Sequence, residues 1–107
     1  MPIIHIVSLK YKDAVSTSQR QDLFNQLNNF PHQCLYNDGK PYIVDFKSST
    51  QNISPEGAGK GFHHTFVSTF PSKDHMKWYL EHDRVHLDFV DKVKPALDDL
   101  YIYDFEA

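Results

Sequence analysis

The residues best suited to chemistry lie in one stretch, Trp78 to Val90, which combines a tyrosine, two histidines and several large apolar side chains. If this stretch is helical, Tyr79, His82, His86 and Val90 lie three or four residues apart and share one face. A polar set on a partly apolar face is what a buried site requires. Aromatic residues at helical spacing more often belong to a core, and that alternative stays open.

His82 and His86 are also spaced for a metal ion, since residues four apart on a helix place both imidazoles on one side. The pair is a weak signal by itself, so we expect no metal and no cofactor, and a metal site is kept as an alternative. Its third ligand would come from His5, His63, His64 or His75.

Length and charge restrict the class of protein. A chain of 107 residues predicts a single domain over residues 1–107. The net charge of -3 and the absence of a Lys/Arg cluster argue against nucleic acid as a partner. No apolar run is long enough to span a membrane, and the N-terminus lacks the pattern of a signal peptide. Cys34 is the only cysteine, which fits a reducing compartment, and we expect a cytoplasmic protein.

Four strands and two helical regions are predicted from periodicity. Alternation over 3–11 predicts the first strand. A capping box formed by Ser16 and Gln19 predicts the start of a helix, which Pro31 ends. The remaining predictions are strands at 42–47, 62–70 and 100–105 and a helical stretch at 73–94, broken near Asp83 and closed by Pro95.

The order β-α-β-β-α-β is that of the ferredoxin-like α+β fold, an antiparallel sheet with two helices on one face. The other face would carry aromatic and aliphatic side chains, and exposed apolar faces usually mark interfaces. The chain is too short to cover both faces, so we expect a homodimer whose sheets pack face to face. The glycine-rich loop at 48–61 is expected to gate a pocket or to reach the partner subunit.

Four blocks occur in order along the chain: a first strand with an early histidine and a closing lysine (5–11), a loop at 52–57, a Gly-aromatic-x-His strand (61–70), and the 79–90 helix followed by Asp104 and Phe105. Together they resemble the stress-responsive dimeric α/β-barrel (Dabb) family. The resemblance implies a homodimer in which two ferredoxin-like sheets close into a barrel.

A known activity of this family is that of plant olivetolic acid cyclase, which closes a polyketide-derived chain by an aldol condensation without a metal or cofactor. A helix histidine and a nearby tyrosine form its catalytic pair. By motif, the helix histidine corresponds to His86, and two pocket histidines correspond to His5 and His64. Tyr79 precedes His86 by seven positions, one more than in the cyclase, and Arg84 stands where the family usually has proline.

Two classes of function stay open. One is a cofactor-independent cyclase/lyase or isomerase acting on a small hydrophobic, polyketide-like ketone, with His86 as the general base, because burial keeps a histidine in its neutral, proton-accepting form. The other is a non-catalytic stress-response protein or a carrier of an apolar small molecule. The predicted pocket lies between sheet and helices, with His86 and Tyr79 as catalytic residues. Its predicted substrate-binding residues are His5, Val7, Leu9, Phe24, Leu27, His64, Phe66, Phe89 and Ile102.

Overall fold

The computed structural model describes residues 1–107 and contains four strands and four helices. Between Val93 and the last strand the chain makes one 3₁₀ turn, Lys94–Ala96. None of the helices has the length and the apolar composition that a membrane span requires. The elements are β1 (Ile3–Tyr11), α1 (Thr17–Asn28), α2 (Phe30–Gln33), β2 (Asp45–Ser49), β3 (His64–Phe70), α3 (Lys73–Glu81), α4 (Arg84–Val93) and β4 (Leu97–Glu106).

The four strands form one antiparallel sheet in the order β2-β3-β1-β4. In this register His5 lies between Ser68 on β3 and Asp104 on β4. Side chains alternate between the two faces of a strand, so the register also decides which residues face the helices. The fold is ferredoxin-like, and the prediction from the order of elements is confirmed.

The helix-facing side of the sheet holds the core. On β3 the residues at alternate positions from His64 to Phe70 are buried, and those between them are half-buried. Phe70 stacks on Tyr42 and contacts Tyr79, with ring centroids 5.8 and 4.9 Å apart. Aromatic rings therefore join the sheet, the segment before β2 and helix α3 into one core.

Three predicted boundaries are wrong in detail. The second strand begins at Asp45, because the buried Tyr42 and Ile43 pack through their side chains and do not pair as strand residues. Pro31 does not end the helical region but stands in the first turn of α2, where its missing N–H costs nothing. The third strand begins two residues late, because Gly61 turns the chain with a φ of 77°.

Strand β4 is longer than predicted and is not covered by the helices. Its residues from 98 to 106 are exposed. Even Leu100 and Ile102, which point to the helix side, are 47% and 50% exposed. On the other side of β4, Tyr101, Tyr103 and Phe105 form a row of neighbouring rings. The exposed apolar surface predicted for the outer face of the sheet is thus concentrated on β4.

The loop between β2 and β3 lies on the outer face of the sheet. Its residues 51–53 and 58–60 border an open cleft of about 580 Å³ with Ser8, Thr65 and Tyr101. Ser8 and Thr65 point away from the helices, since they alternate with the buried positions of their strands, and Tyr101 is the cross-strand partner of Ser8 on the same face. The loop does not line the cavity between sheet and helices, so it is not the predicted gate of that cavity; its predicted contact with a partner subunit stays a prediction.

The capping box at the start of α1 is present as predicted. Ser16 Oγ accepts from the backbone N–H of Gln19 at 3.1 Å, and Gln19 Oε1 accepts from the N–H of Ser16 at 2.9 Å. Because an N-cap serine satisfies a helix donor, Ser16→Ala is expected to lower the free energy of unfolding by about 1 kcal/mol in urea titrations. Ser18→Ala, within the same helix and exposed, is the control and should leave the midpoint unchanged or slightly raised. Equal effects of the two substitutions would contradict the assignment.

Candidate functional site

A cavity of about 110 Å³ lies between the sheet and the helices, as predicted. Its wall is mostly apolar, and its ring-bearing polar residues are His5, Tyr79 and His86. Leu80, Leu100 and Ile102 also line it and are exposed, so the cavity opens beside the uncovered strand β4. The other predicted residues that line it are Val7, Leu9, Leu27, Phe66 and Phe89.

His86 enters the cavity from the first turn of α4. Its Nδ1 lies 2.8 Å from the backbone oxygen of Tyr79, and its ring stacks on the Tyr79 ring at 3.8 Å. A carbonyl oxygen can only accept, so Nδ1 carries the proton and donates it. In the neutral ring Nε2 is then unprotonated. His86 therefore presents the form of imidazole that can accept a proton, and it lines a mostly apolar cavity.

Burial lowers the pKa of His86 below the ordinary histidine value of 6.5. The hydrogen bond to the Tyr79 carbonyl opposes that effect, the His5 ring adds to it, and the Asp83 carboxylate opposes it. His86 is therefore mainly neutral at neutral pH, which is the form that accepts a proton.

Tyr79 contacts His86 through its ring and its backbone oxygen. The side chain is almost fully buried, and burial raises the pKa of its phenol well above 10.0, with further contributions from Cys34 and Asp83. The hydroxyl is thus protonated at neutral pH. The two groups that add to the effect of burial, Cys34 and Asp83, are themselves buried and do not line the cavity. The predicted role of this hydroxyl toward a substrate stays a prediction.

His5 reaches the cavity from β1 and is nearly completely buried. Its Nδ1 is bonded to the carboxylate of Asp104, its cross-strand neighbour on β4. The ring centroids of His5 and Tyr79 are 5.7 Å apart. The carboxylate fixes the ring orientation, and Nε2 makes no hydrogen bond within the protein. Asp104 was not among the predicted site residues, because an antiparallel pairing of β1 with β4 brings it to His5 only in the register that the structure shows.

Two predicted residues lie outside the cavity. The Nδ1 atom of His64 is 2.9 Å from the hydroxyl of Tyr11, and its ring lies 4.8 Å from that of Phe24. His64 does face the helices, but it is four residues from Ser68, the partner of His5. That separation is about 13 Å along a strand. His64 and Phe24 therefore belong to a second cluster at the far end of the sheet.

His82 is the exposed C-cap residue of α3, and its ring lies 5.1 Å from that of Trp78. The helix breaks after it, so His82 and His86 do not share a face as the continuous periodicity predicted. No group of three His, Cys, Asp or Glu side chains is placed to hold a metal ion. The geometry thus gives no support to the metal alternative.

Three histidines, His63, His64 and His86, have pKa values lowered chiefly by burial. Between the folded values and 6.5 the unfolded chain binds more protons, so stability rises with pH across that range. We expect the melting temperature to fall as the pH is lowered from 7.5 through 6.5 to 5.5. Because His64→Gln removes one of these groups, it should flatten the dependence, whereas His82→Gln should not. Identical slopes for all three proteins would contradict this account.

Comparison with known proteins places the chain in a family. The sequence model of the Stress responsive A/B Barrel Domain (Dabb) matches residues 3–107. The chain belongs to the Dabb family. It is 26% identical over 109 residues to the stress-response A/B barrel domain-containing protein HS1 of Arabidopsis thaliana, covering 98% of this chain and 89% of that protein.

Solved structures of other proteins have the same fold. A hydroxynitrile lyase from Passiflora edulis superposes with a TM-score of 0.82 at 23% identity, covering 97% of this chain and 91% of that one. A dimeric ferredoxin-like protein of unknown function from Thermobifida fusca superposes with a TM-score of 0.76 at 19% identity, covering 100% and 92% of the two chains. At these identities the likeness shows the fold alone.

Proposed function

We propose that this protein is a cofactor-independent enzyme of the lyase or isomerase type, acting on a small hydrophobic ketone with His86 as its general base. The observation that carries the proposal is the hydrogen bond from His86 Nδ1 to the Tyr79 carbonyl, which leaves Nε2 unprotonated at an apolar cavity. Proton transfer by a positioned base is worth about 10²- to 10⁴-fold in rate.

The chemical step begins with proton transfer from a carbon next to the carbonyl group to Nε2 of His86. The products of this step are an enolate and an imidazolium. Return of the proton to the same carbon gives exchange with solvent, and its return to a different carbon gives isomerisation. Attack of the enolate carbon on a second carbonyl forms a carbon–carbon bond, and the imidazolium then gives its proton to the new alkoxide. The enolate oxygen needs a hydrogen-bond donor, and the predicted donor is the hydroxyl of Tyr79, whose pKa burial raises well above 10.0.

The cavity volume limits the substrate. About 110 Å³ corresponds to three or four water molecules, and pockets for drug-sized ligands are usually about 300 Å³ or more. A compact ketone fits this space, whereas a long polyketide chain would have to extend through the mouth at Leu80, Leu100 and Ile102. The neighbouring hydroxynitrile lyase supports small-molecule lyase chemistry on this fold.

We further propose a homodimer in which two outer faces cover each other. The row of Tyr101, Tyr103 and Phe105 is about half exposed in the single chain, and burying it would remove apolar surface from water. Relatives described as dimeric, from Thermobifida fusca and from Jannaschia, support this assembly. The buried lone thiol of Cys34 suits the reducing cytoplasm.

Deuterium exchange tests the catalytic proposal without knowledge of the natural substrate. Butanone and cyclopentanone are incubated with the protein in D₂O, and loss of the signals of the protons next to the carbonyl is followed by NMR. The expected result is exchange whose rate saturates with ketone concentration. Exchange that is no faster than with an equal concentration of imidazole would contradict it.

The alternative, a carrier or a non-catalytic stress protein, is favoured by the mostly apolar cavity wall. A carrier would bind the same ketones, with saturation, and leave their protons unexchanged. A protein without ligand function would do neither. Ketone binding and deuterium exchange, measured on the same protein, therefore distinguish an enzyme, a carrier and a protein without ligand function.

A further inference from the structure

Asp83 is a buried carboxylate that the catalytic proposal does not use. It lies between α3 and α4 and is only 4% exposed, yet no Lys, Arg or His side chain forms an ion pair with it. Burying an unpaired charge is costly unless hydrogen bonds compensate for the lost hydration. The hydrogen bonds that Asp83 accepts indicate why a carboxylate is buried at this position.

Three separate parts of the chain surround the carboxylate. Oδ1 accepts from the backbone N–H of His86 at 3.3 Å, and Oδ2 accepts from the hydroxyl of Tyr42 at 2.5 Å. Cys34 is completely buried nearby, and burial together with the Asp83 charge raises the pKa of its thiol. Burial, the hydrogen bond to Asp83 and the Asp83 charge raise the pKa of Tyr42, so both groups stay protonated beside the carboxylate. The orientation of Asp83 is therefore fixed from two sides.

Asp83 is also the residue at which the helical stretch is interrupted. In an unbroken helix, Tyr79 and His86 would be about 10 Å apart along the axis, too far for their rings to stack. Here the backbone N–H groups of His82 and Asp83 both donate to the oxygen of Trp78. The oxygen of Tyr79 is thereby left to accept from Nδ1 of His86. Asp83 then caps α4, with His86 as the third residue of the new helix.

We propose that Asp83, held by the hydroxyl of Tyr42, is a positioning residue for His86, keeping its Nδ1–H on the Tyr79 carbonyl and its Nε2 at the cavity. The use of that ring as a base rests on the proposed function, but the positioning does not. An N-cap in the usual sense stabilises a helix, whereas this one also decides which nitrogen of the catalytic candidate carries the proton.

The charge of Asp83 has a second effect on the same ring. Burial lowers the pKa of His86, and Asp83 acts in the opposite direction. The other charged or titratable groups around the ring are His5 from β1 with Asp104 from β4, the phenol of Tyr79 from α3, and Lys94 at the cavity rim. Asp83 thus offsets part of the effect of burial on His86.

The test is ¹⁵N NMR of histidine side chains in the full-length protein, with the His86 signals assigned by their loss in His86→Gln. In the wild type we expect Nδ1 to be the protonated nitrogen of neutral His86. Asp83→Asn keeps a good N-cap acceptor and removes the charge, so the tautomer should persist while the pKa of His86 falls. Asp83→Ala removes both, and the preference for the Nδ1–H tautomer should be lost.

Ser72→Ala is the matched control, because Ser72 caps α3 and has no contact with His86. It should change neither the tautomer nor the pKa of His86. If Asp83→Ala does not fold, Tyr42→Phe replaces it: loss of the Tyr42 hydrogen bond should loosen Asp83 and shift the His86 nitrogens in the same direction.

A purely stabilising role predicts a different result. The unfolding free energy would drop in Asp83→Ala, while every folded variant, Asp83→Asn included, would keep the wild-type tautomer and pKa of His86; that outcome overturns the inference. Since the NMR signals need no substrate, a protein with the expected tautomers and no ketone exchange would count only against the proposed function.

Discussion

Replacing His86 with alanine is expected to reduce ketone exchange by about 10²- to 10⁴-fold, because it removes the base whose Nε2 lies free at the cavity. The fold should survive, since His86 is half-buried and its neighbours Tyr79 and Phe30 remain packed against other rings. Exchange rates from NMR in D₂O, with circular dichroism as a check of folding, measure both consequences.

His82→Ala is the matched control for that substitution. His82 belongs to the same helical stretch and is exposed beside Trp78, away from the cavity. Its loss should leave the exchange rate unchanged. If His86→Ala retained the full rate, His86 would be removed from the catalytic role, and equal losses in both variants would point to damage of the helix.

Tyr103→Glu is expected to convert the dimer into monomer. Tyr103 is 54% exposed in the single chain and lies at the middle of the aromatic row on β4, so the isolated subunit should tolerate the change. Across a face-to-face interface the carboxylate would be buried without a partner, which costs about 3 kcal/mol or more. The dimer dissociation constant should therefore rise by about 100-fold or more in sedimentation equilibrium.

Leu35→Glu provides the comparison. Leu35 is 43% exposed, and its backbone oxygen accepts from the indole N–H of Trp78 on the helix side of the molecule. A glutamate there should leave the association constant as in the wild type. A Tyr103→Glu protein that stays dimeric at micromolar concentration would show that the outer face of the sheet is not the interface.

Periodicity and capping were sufficient to predict the fold. Alternation identified β1 and the buried face of β3, because each lies in the sheet with one side on the core. Asp83 was predicted to start a new helical segment, and it does, because its side chain accepts from a backbone N–H of the first turn. Alternation within a strand and a capping side chain are local signals, because the hydrogen bonds and side-chain directions behind them involve residues close together in the sequence.

The parts that could not be predicted depend on tertiary contacts. The apolar run at 42–44 has the composition of a strand, but Tyr42 is drawn into the core by Asp83 and Phe70. The pairing of His5 with Asp104 depends on strand register, which the sequence of either strand alone does not determine.

The helix break produced the largest difference in the site. Continuous helical spacing grouped Tyr79, His82 and His86 on one face, whereas the break brings Tyr79 and His86 together and leaves His82 outside. The importance of His86 came from the family resemblance, and its free Nε2 became visible only with the backbone contact to Tyr79. His64 was placed on the correct face but at the wrong distance.

The most direct test of the site is a titration of ¹⁵N-labelled protein with cyclopentanone, followed at the side-chain nitrogens of His86. We expect a saturable shift of Nε2, a smaller change at Nδ1, which stays bonded to the Tyr79 carbonyl, and no change at the exposed His82. A shift at His82 of the same size, or none at His86 up to the solubility limit of the ketone, would contradict the claim that this cavity binds a small carbonyl compound against His86.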